Sequence, residues 1–205
     1  MFKTQPQHDF IYKSSDYLNG LFENCSAMKD FKRNINKLAK SWKKLGYDEN
    51  KFKGDAFEHF IELLLMLHPN DSRLGLYDYK PNSPEIDFGV DGTAKNFKGE
   101  ECVIQIKFRS SSKRLTVTDD RLTNLVSSGM IHHNVIIDTD DPKNYRHFVF
   151  TNAPGLSHYT DNQMLSSRVK CFGHNDMKKL VDNNKPFWDM CREISNNQTK
   201  ERNDA

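Results

Sequence analysis

The sequence predicts a mixed α/β domain, a central sheet with helices on both faces, preceded by an N-terminal helical arm. Three observations carry this expectation. Apolar residues recur at helical spacing over 28–45 and 53–68, they alternate at period two over 86–91 and 102–108, and helix and strand patterns then interleave to the C-terminal end. With 205 residues, 36% of them hydrophobic and 14 of them Phe, the chain can build one substantial core but not several.

The composition excludes several classes. Thirty Lys+Arg against 28 Asp+Glu leave a formal charge of +2, so any basic surface must be local. Cys25, Cys102, Cys171 and Cys191 form no C-x-x-C pair, which argues against zinc ribbons and iron–sulfur sites and for reduced thiols. No apolar signal core opens the chain and the longest apolar run is 63–67, so a soluble cytoplasmic protein without a membrane partner is expected. Neither a G-x-x-x-x-G-K-[ST] loop nor a G-x-G-x-x-G turn is present to hold a nucleotide.

In chain order, 28–45 reads as a basic amphipathic helix ending at Gly46. Phe31, Ile35, Leu38 and Trp42 form its apolar stripe, and Lys29, Lys32, Arg33, Lys37, Lys40, Lys43 and Lys44 stand against a single acid, Asp30. A second helix follows over 53–68, with Phe57, Phe60, Ile61, Leu64 and Leu67 inward and Pro69 closing it. Ile86, Phe88 and Val90 then alternate with Asp87, Gly89 and Asp91 as a strand. After turn residues 96–100, Cys102, Ile104, Ile106 and Phe108 alternate with Val103, Gln105 and Lys107, which predicts a hairpin. Beyond it, 119–127 reads as helix, 134–138, 146–151 and 169–172 as strands, and the regions from 175 and over 186–194 as helices. Residues 195–205 are polar and are expected to be disordered. The expected division is an arm at 1–52, a core at 53–194 and that tail.

Four polar residues on this apolar framework form a pattern: Glu58 on the second helix, Asp91 at a strand end, and Gln105 with Lys107 two apart on one strand face. A carboxylate and an amide oxygen suit a hard divalent cation such as Mg²⁺, which takes oxygen ligands and retains water; Mn²⁺ is expected to substitute. Asp91 and Gln105 are the expected ligands, with the backbone carbonyl of Ile106 and the Glu58 carboxylate able to complete the set. The cationic Lys107 would orient a water and offset charge on a phosphorane-like transition state, chemistry suited to phosphodiester hydrolysis.

Glu58, then Asp87-Phe88-Gly89-Val90-Asp91-Gly92, then Gln105-Ile106-Lys107 resemble the PD-(D/E)XK nucleases, in particular their Mrr-type, restriction-endonuclease-like branch. The likeness spans residues 53–155. It implies a mixed core of four to five strands flanked by helices, Mg²⁺-dependent DNA cleavage and often a homodimer. It also implies Asp91 and Gln105 as metal ligands, Lys107 as the catalytic lysine and Glu58 as the helix acid. Two positions depart from the family pattern: no Pro precedes Asp91, and Gln105 replaces the commoner acid, which lowers the anionic charge around a metal.

Arg109, Lys113 and Arg114 leave the second strand with Ser110, Ser111 and Ser112 among them and are expected to contact phosphates, as are Lys37, Lys40 and Lys44 of the basic helix. Asp87 shares the face of Asp91 and is a lesser candidate. His132-His133-Asn134 run contiguously into an expected strand rather than occupying a metal hairpin, and Cys171 with His174 lacks an orienting acid. A Mg²⁺-dependent DNA endonuclease is thus the leading expectation. Its alternatives are a nucleic-acid-binding module without cleavage, a junction resolvase, and a nuclease domain that works with a helicase or other DNA-processing partner.

Overall fold

A computed structural model describes residues 18–68, 71–82, 89–110, 113–115, 120–138, 140–141, 143–157 and 168–203. These residues form five helices and one five-stranded mixed sheet: α1 (Met28–Lys43), α2 (Glu49–Leu67), β1 (Leu76–Pro81), β2 (Gly92–Asn96), β3 (Glu101–Lys107), α3 (Asp120–His133), β4 (His147–Thr151), β5 (Val169–Phe172), α4 (His174–Val181) and α5 (Lys185–Asn203). The chain divides into two compact units, Met1–His59 with Lys178–Ala205, and Phe60–Met177. This differs from the expected arm, core and tail, because the C-terminal segment belongs with the N-terminal helices. Nor do the described residues after 194 form an irregular tail, since α5 continues through Asn203.

The first unit is organised by aromatic packing. Phe22 stacks on Phe31 at 5.6 Å between ring centroids, Trp188 lies 6.5 and 6.3 Å from these rings, and its Nε1–H donates to the Val181 carbonyl at 2.8 Å. α1 buries Met28, Phe31, Ile35 and Ala39 and turns its lysines outward; of the stripe its periodicity predicts, Phe31 and Ile35 are buried while Leu38 and Trp42 are half-buried. Its start is fixed by two contacts that spacing alone does not reveal. The Met28 N–H donates to the Asp182 carboxylate at 2.9 Å, and Asp30 accepts from the Ser26 N–H and hydroxyl at 3.1 and 3.0 Å. Those two bonds from Ser26 hold the Asp30 carboxyl below the usual carboxylate range.

In the second unit the spatial order of strands follows the chain, β1-β2-β3-β4-β5. The first three are antiparallel, and β3-β4 and β4-β5 are parallel. The β2–β3 hairpin turns where its composition predicts, with Gly99 at φ +80° and the Asn96 side-chain oxygen accepting from the Lys98 and Glu100 N–H groups. The strand preceding that turn begins at Gly92, however, not at 86. Its inward positions are Gly92, Ala94 and Asn96, too small or polar to advertise a strand, whereas Ile86, Phe88 and Val90 did. Ile86 to Phe88, and with them Asp87, lie outside the described residues.

α3 packs on β3 and β4, joining Leu122, Leu125 and Val126 to Val103, Val149 and Val169. On the opposite face Phe172 stacks against Phe150 and Phe148 at 4.9 and 6.4 Å, beside buried Ile104. α3 runs on to His133, past the expected end at 127, and the strand expected over 134–138 is absent. Asn134 at φ +52° and a Val135 N–H bonded to the Gly129 carbonyl turn the chain away instead. No described helix is long and apolar enough to cross a membrane.

Candidate active site

Gln105 and Lys107 share the β3 face on which Val103 meets α3, and both are buried, at 4% and 8% relative exposure. An amide and an amine buried on a central strand need specific partners to offset lost hydration. The Gln105 amide nitrogen donates to the Gly89 carbonyl at 3.2 Å. Because a carbonyl can only accept, this bond fixes which end of the amide is oxygen. That oxygen, Oε1, is buried and finds no hydrogen-bond partner among the described residues.

Asp91 is the residue immediately before β2, and it is tied to β3 on both sides of Gln105. Its N–H donates to the Ile104 carbonyl at 2.9 Å, and its carboxylate accepts from the Ile106 N–H. The carboxylate therefore extends the ladder past the end of the strand. Asn82, which sequence reasoning passed over, holds the same segment from the β1 side. Its side-chain amide donates to the Val90 carbonyl at 2.8 Å and its N–H to the Asp91 carbonyl at 2.9 Å. Its only sequence signal is an Asn directly after a strand-ending Pro81.

Two glycines make this approach possible. Gly89 sits at φ +88°, and a Cβ there would lie 3.2 Å from the Cβ of Asn124 on α3. A Cβ on Gly92 would meet the Tyr79 ring at 2.6 Å and the Lys80 carbonyl at 2.8 Å. Tyr79 lies on Gly92 because β1 carries a register irregularity between Tyr77 and Lys80, with Asp78 at φ +53°.

The other expected site residues are dispersed. Glu58 is half-buried on α2 in the first unit, whereas Asp91, Gln105 and Lys107 belong to the second. Arg109 is pinned by Asn152, whose side chain accepts from its N–H at 2.6 Å and donates to its carbonyl at 2.7 Å. Arg114 donates to the Leu156 carbonyl at 3.1 Å, which gives it a structural role, while Lys113 is exposed. Lys37 and Lys40 on α1, and Lys44 capping its end, are exposed and have no carboxylate within ion-pair distance among the described residues. Burial pushes the Cys171 thiol up to about 12, which agrees with its dismissal as a nucleophile.

The donor set fits a hard cation in kind: a carboxylate, an amide oxygen and strand carbonyls, with no sulfur or imidazole among them. Among the described residues no group of three or more His, Cys, Asp or Glu side chains converges as a metal site. An α/β chain with a five-stranded mixed sheet and one acid, one amide and one lysine at the β2–β3 end is the class that fold and site define. No protein-family model, curated protein or solved structure matches the chain.

Proposed function

We propose that the protein is a Mg²⁺-dependent DNA endonuclease with a restriction-endonuclease-like core. The observation that carries this reading is the buried Gln105 Oε1, which has no partner among the described residues and lies on a strand where Asp91 bonds to both neighbouring residues. An unsatisfied buried acceptor costs ~1–3 kcal/mol, and a bound cation removes that cost. Asp91 and Gln105 would hold the ion, with the Ile106 carbonyl as a further oxygen; Glu58 is assigned by the family resemblance alone. Held by these residues, such an ion would supply Lewis-acid polarisation of a phosphoryl oxygen. Lys107, next along the same face, places a positive charge where negative charge develops as water adds to phosphorus and the ester oxygen departs. Arg109, Lys113 and the α1 lysines supply backbone contacts.

Plasmid nicking with Mg²⁺ or Mn²⁺ tests the reading. Asp91→Ala should abolish metal-dependent nicking. Asp91→Asn, which keeps an oxygen for the Ile106 N–H, should fold normally and still be inactive. Full activity in either variant rejects the assignment. Lys107→Ala should lower turnover far more than DNA affinity. A second reading, nucleic-acid binding without cleavage, is favoured by the neutral Gln105 and by the lack of a three-ligand cluster among the described residues. It predicts DNA binding by the wild-type protein with no metal-dependent nicking.

A further inference from the structure

At the end of α1 the first unit displays an ordered apolar tip beside a lysine face. The Leu45 and Tyr47 N–H groups both donate to the Trp42 carbonyl, at 2.9 and 3.2 Å, and the Gly46 N–H donates to the Lys43 carbonyl at 3.0 Å. Gly46 takes φ +88°, a conformation that costs glycine little. The turn holds the Tyr47 ring edge-on against Trp42, 4.9 Å between centroids and 88° between planes. It nevertheless leaves Tyr47 53% and Leu45 69% exposed. At about 3.6 residues per turn, Lys29, Lys32, Lys37, Lys40 and Lys44 lie on one side of the helix leading to this tip. None of the five has a carboxylate within ion-pair distance among the described residues. The acids that follow the tip are occupied: Asp48 accepts the Lys51 N–H at 2.7 Å, and Glu49 pairs with Lys43 and Lys53 at 3.3 and 2.5 Å.

We propose that this surface binds single-stranded DNA, with bases stacking on Tyr47 and the α1 lysines following the phosphates. A row of cations leading to a rigidly held, exposed ring is the combination a single strand uses, because its bases have open faces that a duplex hides. A membrane surface fits less well. The apolar side of α1, with Phe31, Ile35 and Ala39, is buried within its own unit, so only the tip offers hydrophobic contact. The inference rests on reading α1 as a nucleic-acid contact, and it is independent of the cleavage site.

Anisotropy of a fluorescein-labelled oligothymidylate and of a duplex of equal length, with the full chain in EDTA, separates it from the nuclease reading, since no cleavage is required. Tyr47→Ala should weaken oligothymidylate binding about tenfold more than duplex binding, and Tyr47→Phe should restore it. Oligothymidylate should also quench Trp42 fluorescence, a signal missing from Trp42→Phe because the other tryptophan, Trp188, is buried in the core. Changing Lys37, Lys40 and Lys44 to Ala should shrink the salt slope on the single strand by about 0.7 for each phosphate no longer neutralised. If Tyr47→Ala fails to fold, Leu45→Ser and Trp42 quenching read the same surface. Equal loss on both DNA forms, or quenching of Trp42 by phosphatidylserine vesicles but not by oligothymidylate, overturns the proposal.

Discussion

Gln105 is the residue on which the site's charge turns. Its neutral oxygen sits in a buried strand position, with its nitrogen committed to Gly89, so the amide cannot rotate without stranding a donor. Gln105→Glu replaces that acceptor with an anion and removes the donor. With the ion present, the variant should bind Mg²⁺ or Mn²⁺ several-fold more tightly by calorimetry. Without it, the extra buried charge should destabilise the fold by a few kcal/mol, so added metal should raise the melting temperature more in the variant than in the wild type. A variant that is destabilised yet indifferent to metal removes Gln105 from the ligand set. The pairing of Gln105 with Lys107 was legible from period two. The tether from Asp91 to Ile106 and the Asn82 clamp were not, because both depend on where one strand ends against another.

At the scale of elements, α3 depends on one small residue. A Cβ at Gly129 would lie 2.9 Å from Cγ2 of Val103 and 3.0 Å from the His147 ring, both on the buried face of the sheet. Gly129→Ala trades a gain in helix propensity of just under ~1 kcal/mol for overpacking worth roughly 1–3 kcal/mol. The net effect should be destabilising in urea titration; Thr123→Ala, at an exposed position of the same helix, supplies a control for propensity. A stabilised Gly129→Ala would show that the helix can lift off β3 at little cost. The α1, β3 and β4 patterns were readable because each carries bulky apolar residues at a constant period. β1 was not, since its irregularity at Asp78 breaks the alternation of Leu76, Tyr77 and Tyr79. β2 was misplaced by six residues at its start for a related reason: its inward side is Gly, Ala and Asn.

For the molecule as a whole, acid sensitivity should come from two buried histidines, one in each unit. Burial pushes both His59 and His147 down to about 4, against ~6.5 for an exposed imidazole. His59 Nδ1 and His147 Nε2 are buried without partners among the described residues. Below the unfolded value the unfolded chain takes up protons that the folded one refuses, so stability is full above about pH 6.5 and is lost as pH falls toward about 4. Each histidine should contribute a loss on the order of 2 kcal/mol by about pH 5. Urea midpoints measured from neutral pH downward should fall in that window, and His147→Gln should flatten the fall. A midpoint unchanged down to about pH 5 contradicts the assignment.

The sheet whose spatial order follows the chain also sets an order in time. β1, β2 and β3 are joined by short local connections, whereas β4 reaches β3 only after residues 108–146 have been laid down as a crossover, and parallel β5 comes later still. Closing long loops costs entropy before any pairing rewards it, so the antiparallel half should form first in refolding. Asp91 and the strand that carries Gln105 and Lys107 belong to that half, although Gln105 and Lys107 themselves pair with Val149 and Thr151 of β4. Pulse-labelled hydrogen exchange should therefore protect amides of 92–96 and 101–104 before those of 169–172. Simultaneous protection would instead mark a nucleus spread across both halves. If the hairpin leads, the proposed ligands are assembled on a folding intermediate, and added Mg²⁺ should quicken refolding as well as steady the finished protein.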